Sequence, residues 1–397
     1  MNADSHTPLE GLRVIDASTV LAGPACARYL GDFGADVIKV ERPGTGDGTR
    51  AMFRRDPADD VTFFWKLLGR NKRTITLDLK HAADLDVFRG LCAEADVLVE
   101  NFRPGTLERL DLAPADLLRA NPGLVITRVT GFGQDGPYAG RAGFATLAEA
   151  MSGFAALNGE PDGGPLLPPI ALTDEITGLA AGFATMTALH SGIGQVVDVN
   201  LLETLLQMMG PLVSAHAADG YLQPRLGSGI PYTVPRGTWQ CRDGSWVAVS
   251  TSAESVAARV IDLIGLGDDP ELTTFAGRVA HRSRIDARMT EWVGTRTLDE
   301  VLAAFDAAEA AAAPVYDMAD IAADPHLRER GALVEVDGTV MQGLIARLSA
   351  TPGSVRHVGR AMDADGDDIR AHGWDARGDP PSESDLGGGR SGEGPIG

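Results

Sequence analysis

Basic side chains recur beside short apolar runs of the chain: Lys39 and Arg42 in VIKVERPG, Arg50 after GTGDGT, Lys72 and Arg73 in RNKRT, Arg103 and Arg109 in ENFRPGTLERL. Guanidinium and ammonium groups are the side chains that hold phosphate. If the apolar runs are strands of a parallel sheet, their carboxyl ends converge on one rim. Cations placed there repeatedly predict a pocket for a phosphate-bearing ligand; taken singly, each also fits a solvated loop end. The other candidate is Asp174, in PPIALTDEITGLAAGFATMTAL, just ahead of a long apolar run of small residues. Position alone favours a helix-capping role for it, with Glu175 beside it suiting the positive end of the helix.

Several chemistries are argued against by what is missing. Cys26, Cys92 and Cys241 are far apart and lack CxxC spacing, so they read as buried small hydrophobes. His190, His216, His281, His326 and His357 are scattered without metal-ligand spacing, and no metal is expected. No GxSxG elbow is present for a Ser-His-Asp hydrolase. The opening unit imitates a dinucleotide site, with Gly23 near a helix start and Glu41 ending the second strand. Its turn, however, reads ASTVLAGPA rather than GxGxxG, which argues against a nicotinamide cofactor.

The elements that must position these residues alternate. Leu12 to Ala17 and Ala35 to Val40 read as strands flanking a helix opened by Gly23 and Pro24. Arg73 to Leu79, Asp96 to Glu100 and Leu124 to Thr130 continue the strands, with a helix over Ala82 to Ala93. This alternation predicts an α/β fold with a doubly wound, mostly parallel sheet. From Phe144 to Ala218 two long packed helices are expected around one strand at Gln195 to Glu203. Leu222 to Pro235, rich in Pro and Gly, marks a boundary. Beyond it, a hairpin in GTWQCRDGSWVAVS and helices over Glu254 to Ile264 and Leu298 to Ala308 predict a smaller α+β domain. The expected division is 1–221, 222–313 and a return to the large domain over 314–374, followed by a disordered tail, 375–397.

At 397 residues the chain is long enough for two or three packed units, and 44% apolar and 23% charged residues are ordinary for a folded protein. The formal net charge of −20 repels phosphate backbones and anionic membranes, so neither nucleic acid nor membrane is an expected partner. MNADSHTPLEG lacks a basic stretch followed by an apolar run, and no 18 consecutive apolar residues occur; the expected location is cytoplasmic.

The segment LEGLRVIDASTVLAGPACARYLGDFGADVIKVERPGTGDGTR resembles the family III CoA-transferases, the group that includes formyl-CoA transferase. So do RNKRTITLDLK, VENFRPGTLERL, GFGQDGPYAGRAGF, AEAMSGF, LTDEITGLAAG, VPRGTWQCRDGSWVAVS and ADPHLRERGALVEV, in that order over nearly the whole chain. The resemblance implies a Rossmann-like large domain built from both chain ends, a smaller central domain, and an interlocked homodimer. It makes Asp174 the nucleophile and CoA a substrate, with no permanently bound cofactor. Val20, Leu21, Arg42, Asn101, Phe102 and Arg109 match CoA-binding positions, with Arg42 near the adenine and phosphate end; Lys72 and Arg73 are added as phosphate contacts. Gly131, Gly133 and Gly178 would let backbone N–H groups approach the reacting oxygens, or serve turns and close helix packing. Gly227 to Gly229 is a candidate lid, shorter than the glycine run of formyl-CoA transferase, and Leu21 replaces a Gln of that enzyme. Both departures point away from formyl or oxalyl substrates; a short dicarboxylic donor such as succinyl-CoA fits the family's habits, and Arg141 is a candidate partner for a distal carboxylate. The α-methylacyl-CoA racemases share the fold but use a His and Asp where this chain has Gly143, Phe144 and Ala145. A catalytically silent CoA-binding relative is the third reading, opposed by the presence of Asp174.

Overall fold

Runs of Val, Ile and Leu bounded by Gly, Asp and Pro form the strands of the main sheet, because side chains buried on both faces leave no room for polar alternation. A computed structural model describes residues 7–376. In chain order the elements that frame the sheet are β1 (Arg13–Asp16), α1 (Ala22–Asp32), β2 (Asp36–Glu41), α2 (Phe63–Leu68), β3 (Lys72–Thr76), α3 (Ala82–Glu94) and β4 (Val97–Glu100). They continue with α4 (Thr106–Arg109), α5 (Pro114–Ala120), β5 (Val125–Thr130), α6 (Ala145–Met151), α7 (Phe154–Leu157), α8 (Leu172–Ser191) and β6 (Gln195–Asn200).

The six strands are parallel in the order β3-β2-β1-β4-β5-β6, the doubly wound arrangement expected from the alternation. β1 pairs with β2 on one side, Asp16 opposite Lys39, and with β4 on the other, Asp16 opposite Val99. The direction of winding reverses between β1 and β4, and the crevice beyond their carboxyl ends is the usual ligand position in such sheets. Ile15, Ile38, Ile75 and Leu98 form one apolar face with α3; Val14, Val37, Val97 and Val99 form the other with α1 and α8.

Contacts divide the chain into two units. One holds the described residues up to Ala148, Ile170–Leu205 and the described residues from Arg330 on; the other holds Glu149–Pro169 and Leu206–Glu329. The expected divisions at 221/222 and 313/314 therefore differ from the packing in three places: 149–169, 206–221 and 314–329 all go with the second unit. The helices Leu212–Asp219, Met318–Ala323 and Pro325–Glu329 bury no side chain that would fix them in the first unit's core. Segment 149–169 is fastened within its own unit, where Arg225 donates to the carbonyls of Ala156, Glu160 and Gly163.

The two long helices expected between Phe144 and Ala218 are also corrected. Only α8 is long, at 20 residues. Before it the chain breaks into α6 and α7, because Gly153 and Gly159 adopt positive φ and Pro161, Pro165, Pro168 and Pro169 cannot continue a helix. In the second unit β7 (Arg236–Gln240), β8 (Trp246–Ser250) and β9 (Ala312–Pro314) form an antiparallel sheet, β7 and β8 being the expected hairpin. In the first unit β10 (Leu333–Val336) and β11 (Thr339–Gln342) form a hairpin. Of the expected tail, Asp375 ends a short 3-10 turn and the Ala376 carbonyl accepts from Arg73; 377–397 lie outside the described residues. Among the described residues no helix is long and apolar enough to cross a membrane.

Candidate active site

Asp174 lies in the first turn of α8, half-buried. Its helix is seated on α1 at close range: a Cβ on Gly178 would stand 2.7 Å from Ala25 Cβ and 3.0 Å from the Ala22 carbonyl oxygen. Gly178 therefore serves close helix packing, one of the two roles the sequence allows for it. The next residue, Glu175, is tied to α1 by Arg28, 3.0 Å away, and by the Tyr29 hydroxyl, also at 3.0 Å. Burial pushes the Tyr29 hydroxyl up to about 12, so it stays a protonated donor at neutral pH. The first turn of α8 is thus fixed to α1 by packing and by charge.

Asp174 shares a cavity of about 400 Å3 with the loop after β1 (Thr19, Val20, Leu21), the loop after β4 (Asn101, Phe102, Arg103), Thr130 at the end of β5 and the loop that follows it (Gly131, Phe132). Gly131 lines it against Gly143, where an added Cβ would come within 2.5 Å of the Gly143 Cα. Gly133, at φ +92, serves the turn behind, its N–H donating to Thr130 Oγ1. A second cavity of about 470 Å3 is walled by Arg42, Thr45, Gly46, Asp47, Leu77 and Lys80 and shares Thr19 and Phe102 with the first. The two adjoin at the switch between β1 and β4. One end presents the Asp174 carboxylate; the other presents exposed Arg42, Lys80 and Asp78, while its Lys39, Glu41 and Asp47 are buried and paired within the protein.

The turn after β1 is held unusually firmly. Val20, a β-branched residue, sits at φ +72, a left-handed conformation costing about 1–3 kcal/mol. Asn101 brackets Thr19, accepting from its N–H at 2.8 Å and donating to its carbonyl at 2.6 Å. Beneath lies a buried ionic group: Lys72 Nζ is 2.8 Å from Asp16 Oδ2, and Lys39 Nζ is 2.8 Å from Asp47 Oδ2. Burial alone would raise the Asp16 and Asp47 carboxyls, but the ammonium groups outweigh it and hold both below the usual carboxylate range. Burial likewise pulls Lys72 below the ordinary lysine value. At the end of β4, Glu100 accepts from the Phe102 N–H at 2.6 Å and from Arg128 Nε at 2.6 Å.

Of the residues expected at the site, Asp174, Val20, Leu21, Asn101 and Phe102 meet in the first cavity, and Arg42 lies in the second. Arg109 ends the short α4, whose Thr106 lines the second cavity; its own guanidinium is exposed and donates to Thr106 Oγ1. Lys72 and Arg73 are corrections. They open β3 at the amino end of the sheet, not on the carboxyl rim. Lys72 is fully buried against Asp16 and the Pro24 carbonyl, and Arg73 pairs with Asp36 at 2.6 Å. Lys80, which follows β3 on the carboxyl rim, lines the second cavity and is not among the residues the sequence reading marked; its signal is the basic residue ending TITLDLK. Arg141 lines the first cavity with its guanidinium 4.0 Å from the Tyr138 ring. Gly227 to Gly229 lie in the second unit, the Gly227 N–H donating to the Gly159 carbonyl. Cys26, Cys92 and Cys241 are buried free thiols, Cys26 and Cys92 pushed up to about 12 by burial. Among the described residues no group of His, Cys, Asp or Glu could hold a metal ion.

The profile of CoA-transferase family III matches residues 9–362. This chain is a family III CoA-transferase. It is 40% identical over 367 residues, 89% of this chain and 90% of the relative, to the succinyl-CoA–L-malate CoA-transferase beta subunit of Chloroflexus aurantiacus. It is 34% identical to the succinate–glutarate CoA-transferase of Agrobacterium fabrum, covering 85% of this chain and 88% of that one. Among solved structures it resembles a CAIB/BAIF family protein from Brucella suis, with TM-score 0.82, 32% identity, and 92% and 99% of the two chains covered. In the family III CoA-transferase described here, the two adjoining cavities lie within one unit, along the rim of the parallel sheet.

Proposed function

We propose that this enzyme moves CoA from an acyl-CoA donor to a carboxylic acid through covalent intermediates on Asp174, as a cytoplasmic homodimer with no resident cofactor. The observation that carries the reading is a half-buried carboxylate in a cavity that adjoins a second one, where the exposed cations Arg42 and Lys80 outnumber the one exposed carboxylate, Asp78. An acyl-CoA is an electrophilic thioester joined to a nucleotide bearing phosphates, and the pair of cavities matches that division. Arg42 and Lys80 face the phosphate-bearing part; Val20, Leu21, Asn101 and Phe102 flank the thioester arm.

The Asp174 carboxylate attacks the thioester carbonyl, the C–S bond breaks, and a mixed anhydride and CoA thiolate result. The thiolate attacks the aspartyl carbonyl of the anhydride, releasing the donor acid and leaving an aspartyl-CoA thioester. The acceptor carboxylate attacks that thioester, giving a second anhydride and thiolate again. Thiolate attack on the acceptor's acyl carbon then yields the new acyl-CoA and the free Asp174 carboxylate. Each step exchanges one activated acyl group for another, so no single barrier carries the whole transfer.

The relatives' names make succinyl-CoA the first donor to test, with malate and glutarate among the first acceptors. A racemase would need a second proton-transfer group; Gly143, Phe144 and Ala145 line the cavity without one, and no histidine lines either cavity among the described residues. The test is mass spectrometry after incubation with acyl-CoA thioesters and quenching with hydroxylamine. A hydroxamate on Asp174 is expected, and Asp174→Ala should lose several powers of ten in kcat. An unmodified Asp174, with solvent deuterium entering the acyl α-carbon, would replace this reading with the racemase.

A further inference from the structure

We infer that Asp47 is a positioning residue of the reaction: it holds Val20 in its left-handed conformation and so sets the turn that forms one wall of the Asp174 cavity. The inference rests on the reading of that cavity as the active site.

Three consecutive residues after β1 are each gripped by a different part of the sheet rim. The Ser18 carbonyl accepts from Lys39 Nζ of β2 at 2.5 Å, Thr19 is bracketed by Asn101 beyond β4, and the Val20 N–H donates to Asp47 Oδ1 at 3.3 Å. A valine at φ +72 is not a conformation the turn would keep unaided. Something must over-determine it, and Asp47 is the contact that reaches Val20 itself.

Asp47 is well built for that task. It is 3% exposed, its Oδ2 is 2.8 Å from Lys39, its Oδ1 is fixed by the Thr49 N–H and hydroxyl at 2.8 Å each, and its own N–H donates to Glu41 Oε2 at 2.8 Å. Glu41 is in turn gripped by Arg50, whose guanidinium lies 3.6 Å from the Trp65 ring centroid. The strut is therefore rigid from the protein interior to the turn. It also joins the two cavities: Asp47 and Lys39 lie in the wall of the second, and Val20 and Leu21 wall the one containing Asp174. The grip of Asp47 on Val20 thus runs between the part that would take the nucleotide and the place where the thioester would react.

A glycine adopts positive φ without strain, so a glycine at position 20 should make the strut unnecessary. The test is a double-mutant cycle on kcat for transfer from succinyl-CoA, using wild type, Asp47→Ala, Val20→Gly and the double variant, each checked for folding by thermal melting. Asp47→Ala is expected to lower kcat about 10- to 100-fold, the size seen when a reacting group is misplaced by about an ångström. In the Val20→Gly background the same change should cost less than about threefold. Equal losses in both backgrounds, or an unchanged kcat in Asp47→Ala, would overturn the inference. If Asp47→Ala does not fold, Asp47→Leu, of similar shape but with no oxygen to accept the Val20 N–H, is run through the same cycle and judged by the same inequality. A wild type that transfers CoA but shows additive losses removes only the role of Asp47. A wild type inactive with every donor and acid removes the transferase reading and this inference together.

Discussion

Lys72 and Arg42 are cations beside neighbouring strands, yet the sheet gives them opposite tasks. Lys72 begins β3 and disappears into the interior, where it neutralises Asp16; Arg42 follows β2 and stays exposed on the carboxyl rim, where the proposed CoA site lies. Removing one member of a buried ion pair leaves the other charge uncompensated. Lys72→Met should therefore lower unfolding free energy by about 3–5 kcal/mol, read by urea denaturation. Arg42→Ala should leave the denaturation midpoint in place and weaken CoA binding about 10-fold by calorimetric titration. A Lys72 variant of normal stability with weakened CoA binding would reverse this assignment. The sequence placed both residues together because each adjoins an apolar run; which end of the strand each occupied decided the matter.

At the scale of the element, the decisive contact is α1 against α8. Asp174, Thr177, Gly178 and Ala181 lie along one stretch of α8, and the absence of a side chain at Gly178 lets α1 approach closely enough to bring the Asp174 turn beside the loop after β1. Val at 178 would have its Cβ 2.7 Å from Ala25 Cβ, and backbone and methyl groups cannot yield as a flexible side chain would. Gly178→Val should cost about 1–3 kcal/mol in stability through overpacking. It should also lower kcat in the fraction that folds, because the first turn of α8 is displaced. A melting curve and kcat both matching the wild type would show that the helices do not depend on this approach.

At the scale of the whole molecule, the chain leaves large apolar side chains uncovered. On α8 Leu179 and Phe183 are 39% and 77% exposed, four residues apart on one helical face, and Phe144 and Ile170 are each 68% exposed. Uncovered aromatic and aliphatic groups of this number favour association with a second copy, in agreement with the homodimer proposed above. Sedimentation equilibrium should give twice the mass of one chain, and Phe183→Glu should weaken the association at least about 10-fold, since in a symmetric pair the change is made twice. A wild type that sediments as a single chain would refute the dimer.

What the sequence by itself determined was the kind of sheet, its strands to within one to three residues at most ends, the family, and the candidate nucleophile. Those follow from local apolar patterning and from long motifs in fixed order, which survive without knowledge of packing. It also marked Arg42 by its position after a strand, and Asn101 and Phe102 through the resemblance to the family. It did not reveal Lys80, the Asp16–Lys39–Asp47–Lys72 group or the left-handed Val20, because these depend on which strands are neighbours. Asp16 and Lys72 are 56 positions apart in the chain, and only the order β3-β2-β1 brings them within 2.8 Å. The broken path of α6 and α7 and the grouping of 149–169 with the second unit were likewise decided in three dimensions. Turns at glycine and proline say that a helix stops, but only the contacts formed afterwards say where the chain goes.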